Sequence, residues 1–247
     1  MKLMGRYLAM ALLMAGAVGT GAGADDSRSP VVIELFTSQG CPGCPPADAL
    51  LKRLRERDDT LTLSWPVDYW DRLGWEDTFA SPENSKRQAA YNKRLGVAGV
   101  FTPELVVDGT LWCKGAEKAE VLDHIAERWP VKKLPFAPTL TQQGTVINAH
   151  LPATKIKTPV AIRVVWYLAD AEVKIDGGEN EGRTLHYTNV VRKSMIIGDW
   201  DGSATVLKLD ASDAESFGAD HVAILLQARV GDADTGEIYG AATIRLQ

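Results

Sequence analysis

Cysteine and histidine are scarce in this sequence. Three cysteines in 247 residues are too few for a disulfide scaffold, so the core must depend on apolar burial, for which the length suffices. The four histidines are scattered without the spacing of metal ligands: His124, His150, His186 and His221. We therefore predict no metal site and no bound cofactor.

Basic clusters and Arg-rich helices are also lacking. The formal net charge is −5, and loss of Lys2 and Arg6 with the segment described next brings it to −7. An acidic chain without a basic patch argues against nucleic acid and anionic membrane surfaces as partners.

Long hydrophobic runs are confined to the N-terminus. Lys2 and Arg6 precede an apolar run from Leu8 to Val18, and Ala22-Gly23-Ala24 is a small-x-small cleavage site before Asp25. The run is short for a membrane span, although an uncleaved anchor is the alternative. We predict that residues 1–24 are a signal peptide and that the mature protein is soluble, periplasmic or secreted, with no membrane span.

The most informative motif is Cys41-Pro42-Gly43-Cys44. An apolar, β-branched run from Val31 to Phe36 precedes it, which predicts a strand that leads through a turn into a helix. The spacing lets the two sulfurs close a small disulfide ring, and export favours the oxidised pair. A four-cysteine zinc site also contains a pair of cysteines with this spacing, but it needs a second pair, and Cys113 is the only other cysteine. Cu(I) binding by Cys41 and Cys44 is a further alternative, but the sequence offers no obvious third ligand.

Alternating elements follow the motif up to residue 128. In order, they are a helix over 45–57, a strand over 61–65, an aromatic loop over 67–75, a helix over 82–95 capped by Ser81, strands over 104–107 and 110–113, and a helix over 116–128. Asp108-Gly109 is predicted to form a two-residue hairpin turn between the two strands.

This order resembles the thioredoxin fold, and Pro103 after Thr102 extends the resemblance. In that superfamily the corresponding proline is cis and faces the redox pair, so the resemblance implies a cis Thr102–Pro103 bond near Cys41. An extended substrate then pairs with the Thr102 backbone. Cys41 is expected to be the exposed nucleophile and Cys44 the buried resolving cysteine. Glu34, on the preceding strand, is expected to relay the proton of Cys44, with a solvated glutamate as the alternative.

A narrower resemblance covers most of the mature chain. The sequence is similar to a bacterial family of secreted thioredoxin-like proteins that is catalogued as a domain of unknown function. The matching stretches are residues 34–48, 67–71, 73–75, 178–185 and 189–192. Pro66 stands where the family pattern has histidine, so a role for that histidine is absent here. The resemblance implies fold and export but no substrate.

The C-terminal half has a different periodicity. Alternating β-rich runs lie at 145–151, 160–168, 205–209, 221–230 and 238–246. Short strands at this spacing predict an antiparallel β-sandwich. We therefore predict an α/β, thioredoxin-like domain over 25–130, a linker from Pro130 to Pro138, and a β-sandwich-like domain over 137–247.

Other residues have both a functional and a structural interpretation. A two-residue turn places Cys113 opposite Glu104 near the redox end, as a third thiol or, preferably, as a buried apolar residue. Tyr69, Trp70 and Trp75 form a docking rim or, preferably, pack between the domains. Asp68 and Asp71 lack further metal ligands, and His186 and Arg192 are taken as structural.

Two functions from different classes follow. The first is an exported thiol–disulfide oxidoreductase that exchanges disulfides with exported proteins or small thiols through Cys41 and Cys44. The second is a non-enzymatic binding protein on a thioredoxin scaffold with a structural Cys41–Cys44 disulfide. An exposed Cys41 favours the first and a fully buried Cys41 favours the second.

Overall fold

The computed structural model describes residues 29–131, 134, 136–231 and 233–247. The predicted signal peptide and Asp25 lie outside these ranges, as does part of the predicted linker. Within the described ranges, no helix has both the length and the apolar character needed to cross a membrane.

The described elements alternate in the first half and are mostly strands in the second. The first half contains β1 (Val31–Thr37), α1 (Pro45–Arg55), β2 (Thr60–Pro66), α2 (Pro82–Leu95), β3 (Glu104–Val107), β4 (Leu111–Lys114) and α3 (Lys118–Arg128). The second half contains β5 (Thr139–Gln143), β6 (Val146–Leu151), β7 (Val160–Lys174), β8 (Thr184–Trp200), β9 (Thr205–Asp210), α4 (Asp213–Phe217), β10 (His221–Ala228) and β11 (Ile238–Arg245).

One mixed sheet of eight strands runs through both halves, in the order β11-β10-β7-β8-β2-β1-β3-β4. Strands β5, β6 and β9 form a second, smaller sheet. The halves meet where β2 and β8 run parallel, with Ser64 opposite Val190. Beside this point Asn189 has a φ of 50° and its amide donates to the carbonyl of Thr62 at 2.8 Å. The two segments predicted as separate domains therefore share a sheet.

Helices cover both faces of the first-half strands. On one face, Leu50, Leu51 and Leu54 of α1 pack with Ile33 and Leu35 of β1. Alternate residues of β1 point to opposite faces, so Val32 and Phe36 enter a second cluster that contains Tyr91 of α2. Helix α2 begins as predicted, with the Ser81 hydroxyl accepting from the backbone N–H of Glu83.

The β3–β4 connection is longer than predicted. Val107 lies opposite Leu111, so the loop has three residues, and Cys113 faces Leu105 while Glu104 faces Lys114. The predicted pairing of Cys113 with Glu104 is wrong by one residue. Within the loop, Gly109 has a φ of +68°, and a Cβ there would lie 2.3 Å from the carbonyl oxygen of Gly236.

We expect Gly109→Ala to be far more destabilising than Gly144→Ala. Gly144 has a φ of +59° and open space around it, so both variants carry the same left-handed backbone cost of roughly 1 kcal/mol. Only Gly109→Ala adds a backbone clash, which we expect to cost about 1–3 kcal/mol more. Urea unfolding of both variants measures the difference, and equal losses would contradict the tight approach of Gly236.

Candidate functional site

The disulfide lies at the start of α1. Cys41 and Cys44 are joined with their Cα atoms 5.4 Å apart, and Cys44 is the residue that precedes the helix. The Cys44 carbonyl accepts from the N–H of Ala47 at 2.8 Å. Pro45 and Pro46 occupy the first turn without N–H groups, so the helix start offers few donors to a thiolate.

Both cysteines are buried. Cys41 is 1% exposed and Cys44 is 0% exposed. The expectation of an exposed Cys41 is therefore wrong for this conformation. A partner thiolate reaches the Cys41 sulfur only if the covering residues move.

The second half of the chain is hydrogen-bonded to the disulfide loop. The connection between β7 and β8, residues 175–183, is here named the hairpin tip, and it contains a 3-10 turn, Gly178–Asn180. The Asn180 amide donates to the carbonyls of Gln39 at 2.8 Å and Cys41 at 2.9 Å. Arg183 donates to the Asn180 side-chain oxygen at 2.6 Å, so the amide is held from both ends. The hairpin tip is thus fastened to the disulfide loop.

The aromatic loop holds the hairpin tip from the other side. A Cβ on Gly177 would lie 2.9 Å from the carbonyl oxygen of Gly74, and one on Gly178 would lie 3.1 Å from the Cβ of Trp75. The indole N–H of Trp75 donates to the Gln39 side chain at 2.8 Å. Trp75 therefore packs between the two halves, which is the preferred interpretation from the sequence.

Pro103 lies against the disulfide loop. The Thr102–Pro103 bond is cis, in agreement with the sequence prediction. A Cβ on Gly43, between the two cysteines, would lie 3.9 Å from the Cδ of Pro103. The Thr102 hydroxyl accepts from the indole N–H of Trp70 at 2.7 Å, so the aromatic loop also fixes this segment.

An apolar cleft opens beside Thr102. Its volume is about 450 Å³, and its lining includes Tyr69, Trp70, Leu73 and Val100. Leu73 and Val100 are each 42% exposed. Tyr69 and Trp70 also pack against the core, in agreement with the preferred interpretation from the sequence, and the docking rim stays a prediction.

Glu34 does not reach the disulfide. It lies on the face of β1 that carries α2, opposite α1, and it is fully buried. Its carboxylate accepts from Arg87 Nε at 2.8 Å and Nη2 at 3.0 Å, and also from the hydroxyl of Tyr91. The proton-relay role predicted for Glu34 has no geometric support, because its partner is Arg87 on the far side of the strand.

Asp48 is an acid on the disulfide side of the sheet that sequence reasoning missed. It follows Cys44 by four residues on α1, which places both on one helix face. It is 6% exposed and accepts from the hydroxyl of Thr37 at 2.9 Å. Burial raises the pKa of Asp48 to about 8. The Thr37 hydrogen bond lowers this pKa, and the nearby charge of Asp77 raises it further. The spacing of Cys44 and Asp48 was the available signal.

Asp77 and Tyr187 complete a buried acidic cluster with Asp48. Burial raises the pKa of Asp77 to about 6, although the backbone N–H groups of Gln39 and Phe79 donate to it at 2.7 and 2.9 Å. Burial, followed by the charges of Asp48 and Asp77, raises the pKa of Tyr187. The Tyr187 hydroxyl has no hydrogen-bond partner among the described residues. Such perturbed acids mark candidate functional sites.

Cys113 is a core residue. It is 1% exposed and packs with residues of β1, α1 and α3. Burial, with the charges of Glu120 and Glu104, raises the pKa of Cys113 to about 12, which keeps the thiol protonated and unreactive.

The remaining sequence candidates lie apart from the disulfide or serve packing. His186 forms an exposed pair with Glu172 at 3.1 Å, and the Arg192 guanidinium stacks on Phe79 at 4.8 Å. Asp68 accepts from the hydroxyl of Ser85, and Asp71 from the backbone N–H of Asp77 at 3.1 Å. In the part of the chain that the structure describes, no group of three or more His, Cys, Asp or Glu side chains is arranged to hold a metal ion.

Comparison with protein families matches residues 32–227 to the family described as a protein of unknown function, DUF1223. The chain belongs to this family. A crystal structure of a protein from Agrobacterium tumefaciens is 30% identical, covers 88% of this chain and 95% of its own, and superposes with a TM-score of 0.78. The structure of HBP35 of Porphyromonas gingivalis is 15% identical, covers 89% of this chain and 76% of its own, and superposes with a TM-score of 0.57. This is a likeness of fold alone. No curated protein matches the chain.

We expect Asp48→Asn to flatten the dependence of stability on pH. The pKa of Asp48 is higher in the folded protein than in the unfolded chain, where it is about 3.9. The contribution of protonated Asp48 to the free energy of unfolding is therefore complete below pH 4 and is lost as the pH rises through about 8. The loss is at most about 6 kcal/mol at 1.36 kcal/mol per pKa unit.

Denaturant unfolding from pH 4 to pH 8 measures this dependence. Asp123→Asn, at an exposed position of α3, is the control and is expected to retain the wild-type profile. Part of the slope persists in Asp48→Asn because Asp77 titrates near pH 6. An unchanged slope in Asp48→Asn would contradict its buried, protonated state.

Proposed function

We propose that this protein is a thioredoxin-like thiol–disulfide oxidoreductase, exported by the leader predicted at residues 1–24, whose redox pair is Cys41 and Cys44. The thioredoxin-like assignment is supported by the order β1, α1, β2, α2, β3, β4, α3 and by the neighbouring strands β2-β1-β3-β4. It is also supported by the position of Pro103 against Gly43.

The observation that carries the proposal is the buried acid one helical turn after the disulfide. A structural disulfide needs no carboxyl group beside it, and burying Asp48 without a cationic partner is costly. Asp48 is 6% exposed, and its one hydrogen-bond donor among the described residues is the Thr37 hydroxyl. A carboxyl with a raised pKa holds a proton near neutral pH, which suits it to exchange that proton with the Cys44 sulfur.

The proposed exchange conserves atoms and electrons. In the reduced protein, the Cys41 thiolate attacks a partner disulfide, forms a mixed disulfide and releases one partner thiolate. The Cys44 thiol loses its proton to the Asp48 carboxylate and attacks the Cys41 sulfur, which re-forms the Cys41–Cys44 bond and releases the second partner thiolate. Two electrons pass from the protein to the partner. In the reverse direction, neutral Asp48 protonates the leaving Cys44 thiolate.

Opening of the hairpin tip is the gating step. Since Cys41 is 1% exposed, a partner gains access when Asn180 releases the Cys41 carbonyl. The apolar cleft beside Thr102, with Leu73 and Val100 exposed, is the proposed docking surface for an extended partner segment.

A non-enzymatic protein with a structural disulfide is the second candidate. The burial of both cysteines favours it, because a closed disulfide with two hydrogen bonds from Asn180 to its loop needs no further role. The two candidates differ in how easily the disulfide is reduced.

The reduction potential of the Cys41–Cys44 pair in glutathione buffers separates them. The oxidoreductase proposal predicts a value between about −120 and −270 mV, the range of catalytic dithiols. A value below about −300 mV indicates a structural disulfide and would overturn the proposal. Cys113→Ala is the matched control and is expected to leave the potential unchanged, because its thiol is buried in the core.

Trapping tests the assignment of the nucleophile. Cys44→Ala is expected to accumulate mixed disulfides through Cys41, because nothing remains to resolve them, while Cys41→Ala is expected to trap none. Non-reducing electrophoresis followed by mass spectrometry identifies the linked cysteine. Equal trapping by both variants, or by neither, would contradict the roles given to the two residues.

A further inference from the structure

A second cavity, lined by none of the residues around the disulfide, lies beside α2. Its inner part, here named the inner cavity, has a volume of about 120 Å³, and its lining includes Trp65, Arg87 and Arg163. A wider opening of about 880 Å³, here named the outer cleft, is also lined by Arg87 and Arg163. The two spaces therefore meet at the two arginines.

Three buried N–H donors of residues that line the inner cavity lack partners. Among the described residues, no acceptor meets Trp65 Nε1, Arg87 Nη1 or Arg163 Nε. Trp65 is 1% exposed, Arg87 6% and Arg163 9%. A buried donor without an acceptor is unfavourable, so three in the lining of one small cavity indicate a ligand that brings acceptors.

The other N–H groups of the two arginines hold them in place. Arg87 donates through Nε and Nη2 to Glu34 and through Nη2 to the side-chain oxygen of Gln227 at 3.0 Å. Arg163 donates through Nη1 to the hydroxyl of Ser194 at 2.8 Å and through Nη2 to Asp234. Each guanidinium is therefore fixed before a ligand arrives, which lowers the entropic cost of binding.

The charge around the cavity favours an anion. Glu34 pairs with Arg87 and Asp234 pairs with Arg163, while burial and the neighbouring Arg87 charge lower the pKa of Arg163 to about 10. Arg192 and Lys193 also line the inner cavity. The acidic residue among its described lining, Glu83, is exposed, and its carboxylate accepts from the Ser81 hydroxyl at 2.6 Å.

The outer cleft combines further cations with apolar surface. The cations of its lining beyond the two shared arginines are Lys86, Lys93 and Arg94. The apolar residues of its lining are Ala90, Met195, Ile196, Val230 and Ala233. Such a lining suits the body of an organic anion, because the methylene and methyl groups contact its carbon skeleton while the cations attract its charge.

We propose that the inner cavity binds the oxyanion head group, phosphate or carboxylate, of a small organic anion whose body lies in the outer cleft. A water molecule takes about 30 Å³ of liquid, so 120 Å³ holds a head group of about four or five heavy atoms but not a whole metabolite. Charge-assisted hydrogen bonds from two fixed guanidinium groups, with the indole N–H as a third donor, recognise the head group.

NMR titration tests the proposal on the side chains themselves. Inorganic phosphate and succinate are added separately at constant ionic strength, and the Trp65 Nε1–H and Arg163 Nε–H resonances are followed. We expect saturable shifts of both. Tighter binding of phosphate identifies a phosphate head group, and tighter binding of succinate a carboxylate. Absence of shifts, or equal shifts with sodium chloride, would overturn the proposal.

Two variants and a matched control separate a binding role from a structural one. Arg163→Met is expected to weaken binding of the preferred anion at least tenfold by calorimetry, since one charge-assisted contact is lost. Trp65→Phe removes a donor that has no partner among the described residues, and it is expected to weaken binding of the preferred anion several-fold. This variant provides the test if Arg163→Met does not fold. Arg229→Met, which removes an exposed arginine paired with Asp199, is expected to bind as the wild type does. Equal affinity in all three variants would overturn the proposal.

Discussion

The parallel pairing of β2 with β8 is the constraint on which the arrangement of the site depends. It joins the alternating first half to the strand-rich second half, at Ser64 opposite Val190, and the Asn189 amide reinforces it through the carbonyl of Thr62. Because β8 is fixed there, the hairpin tip at residues 175–183 lies against the disulfide loop, and Asn180 reaches the carbonyls of Gln39 and Cys41. Tyr187 of the same strand enters the cluster with Asp48 and Asp77.

Local signals in the sequence predicted the elements of the first half but not the joining of the two halves. The strand before Cys41, the Ser81-capped helix and the helix after the cysteines depend on near neighbours in sequence, and the structure contains them as β1, α2 and α1. Strand β8 depends on distant partners. Its alternation is interrupted by the positive φ at Asn189 and by exposed residues at 197–199, so no periodic pattern identified it. The predicted β3–β4 register was wrong by one residue, because the loop contains Thr110 in addition to Asp108 and Gly109.

The candidate site shows the same division. The Cys41–Cys44 disulfide and the position of Pro103 followed from spacing and from the resemblance to thioredoxin. The sequence did not predict which carboxyl group lies on the disulfide side of the sheet. Helices cover both faces of β1, so the alternation of side chains alone does not tell which face Glu34 occupies. The four-residue spacing between Cys44 and Asp48 could have predicted that Asp48 lies on the disulfide side. Asn180, which donates to the Cys41 carbonyl, lies 139 positions away in sequence.

The rate at which a protein dithiol reduces the Cys41–Cys44 disulfide, compared between the wild type and Asn180→Ala, tests most directly whether the hairpin tip controls access. The two hydrogen bonds that join the hairpin tip to the disulfide loop, of about 1 kcal/mol each, are lost, so opening becomes more frequent and the rate is predicted to rise about tenfold or more. Asn148→Ala on β6 serves as the control and should keep the wild-type rate. An Asn180→Ala rate equal to that of the wild type would contradict the account.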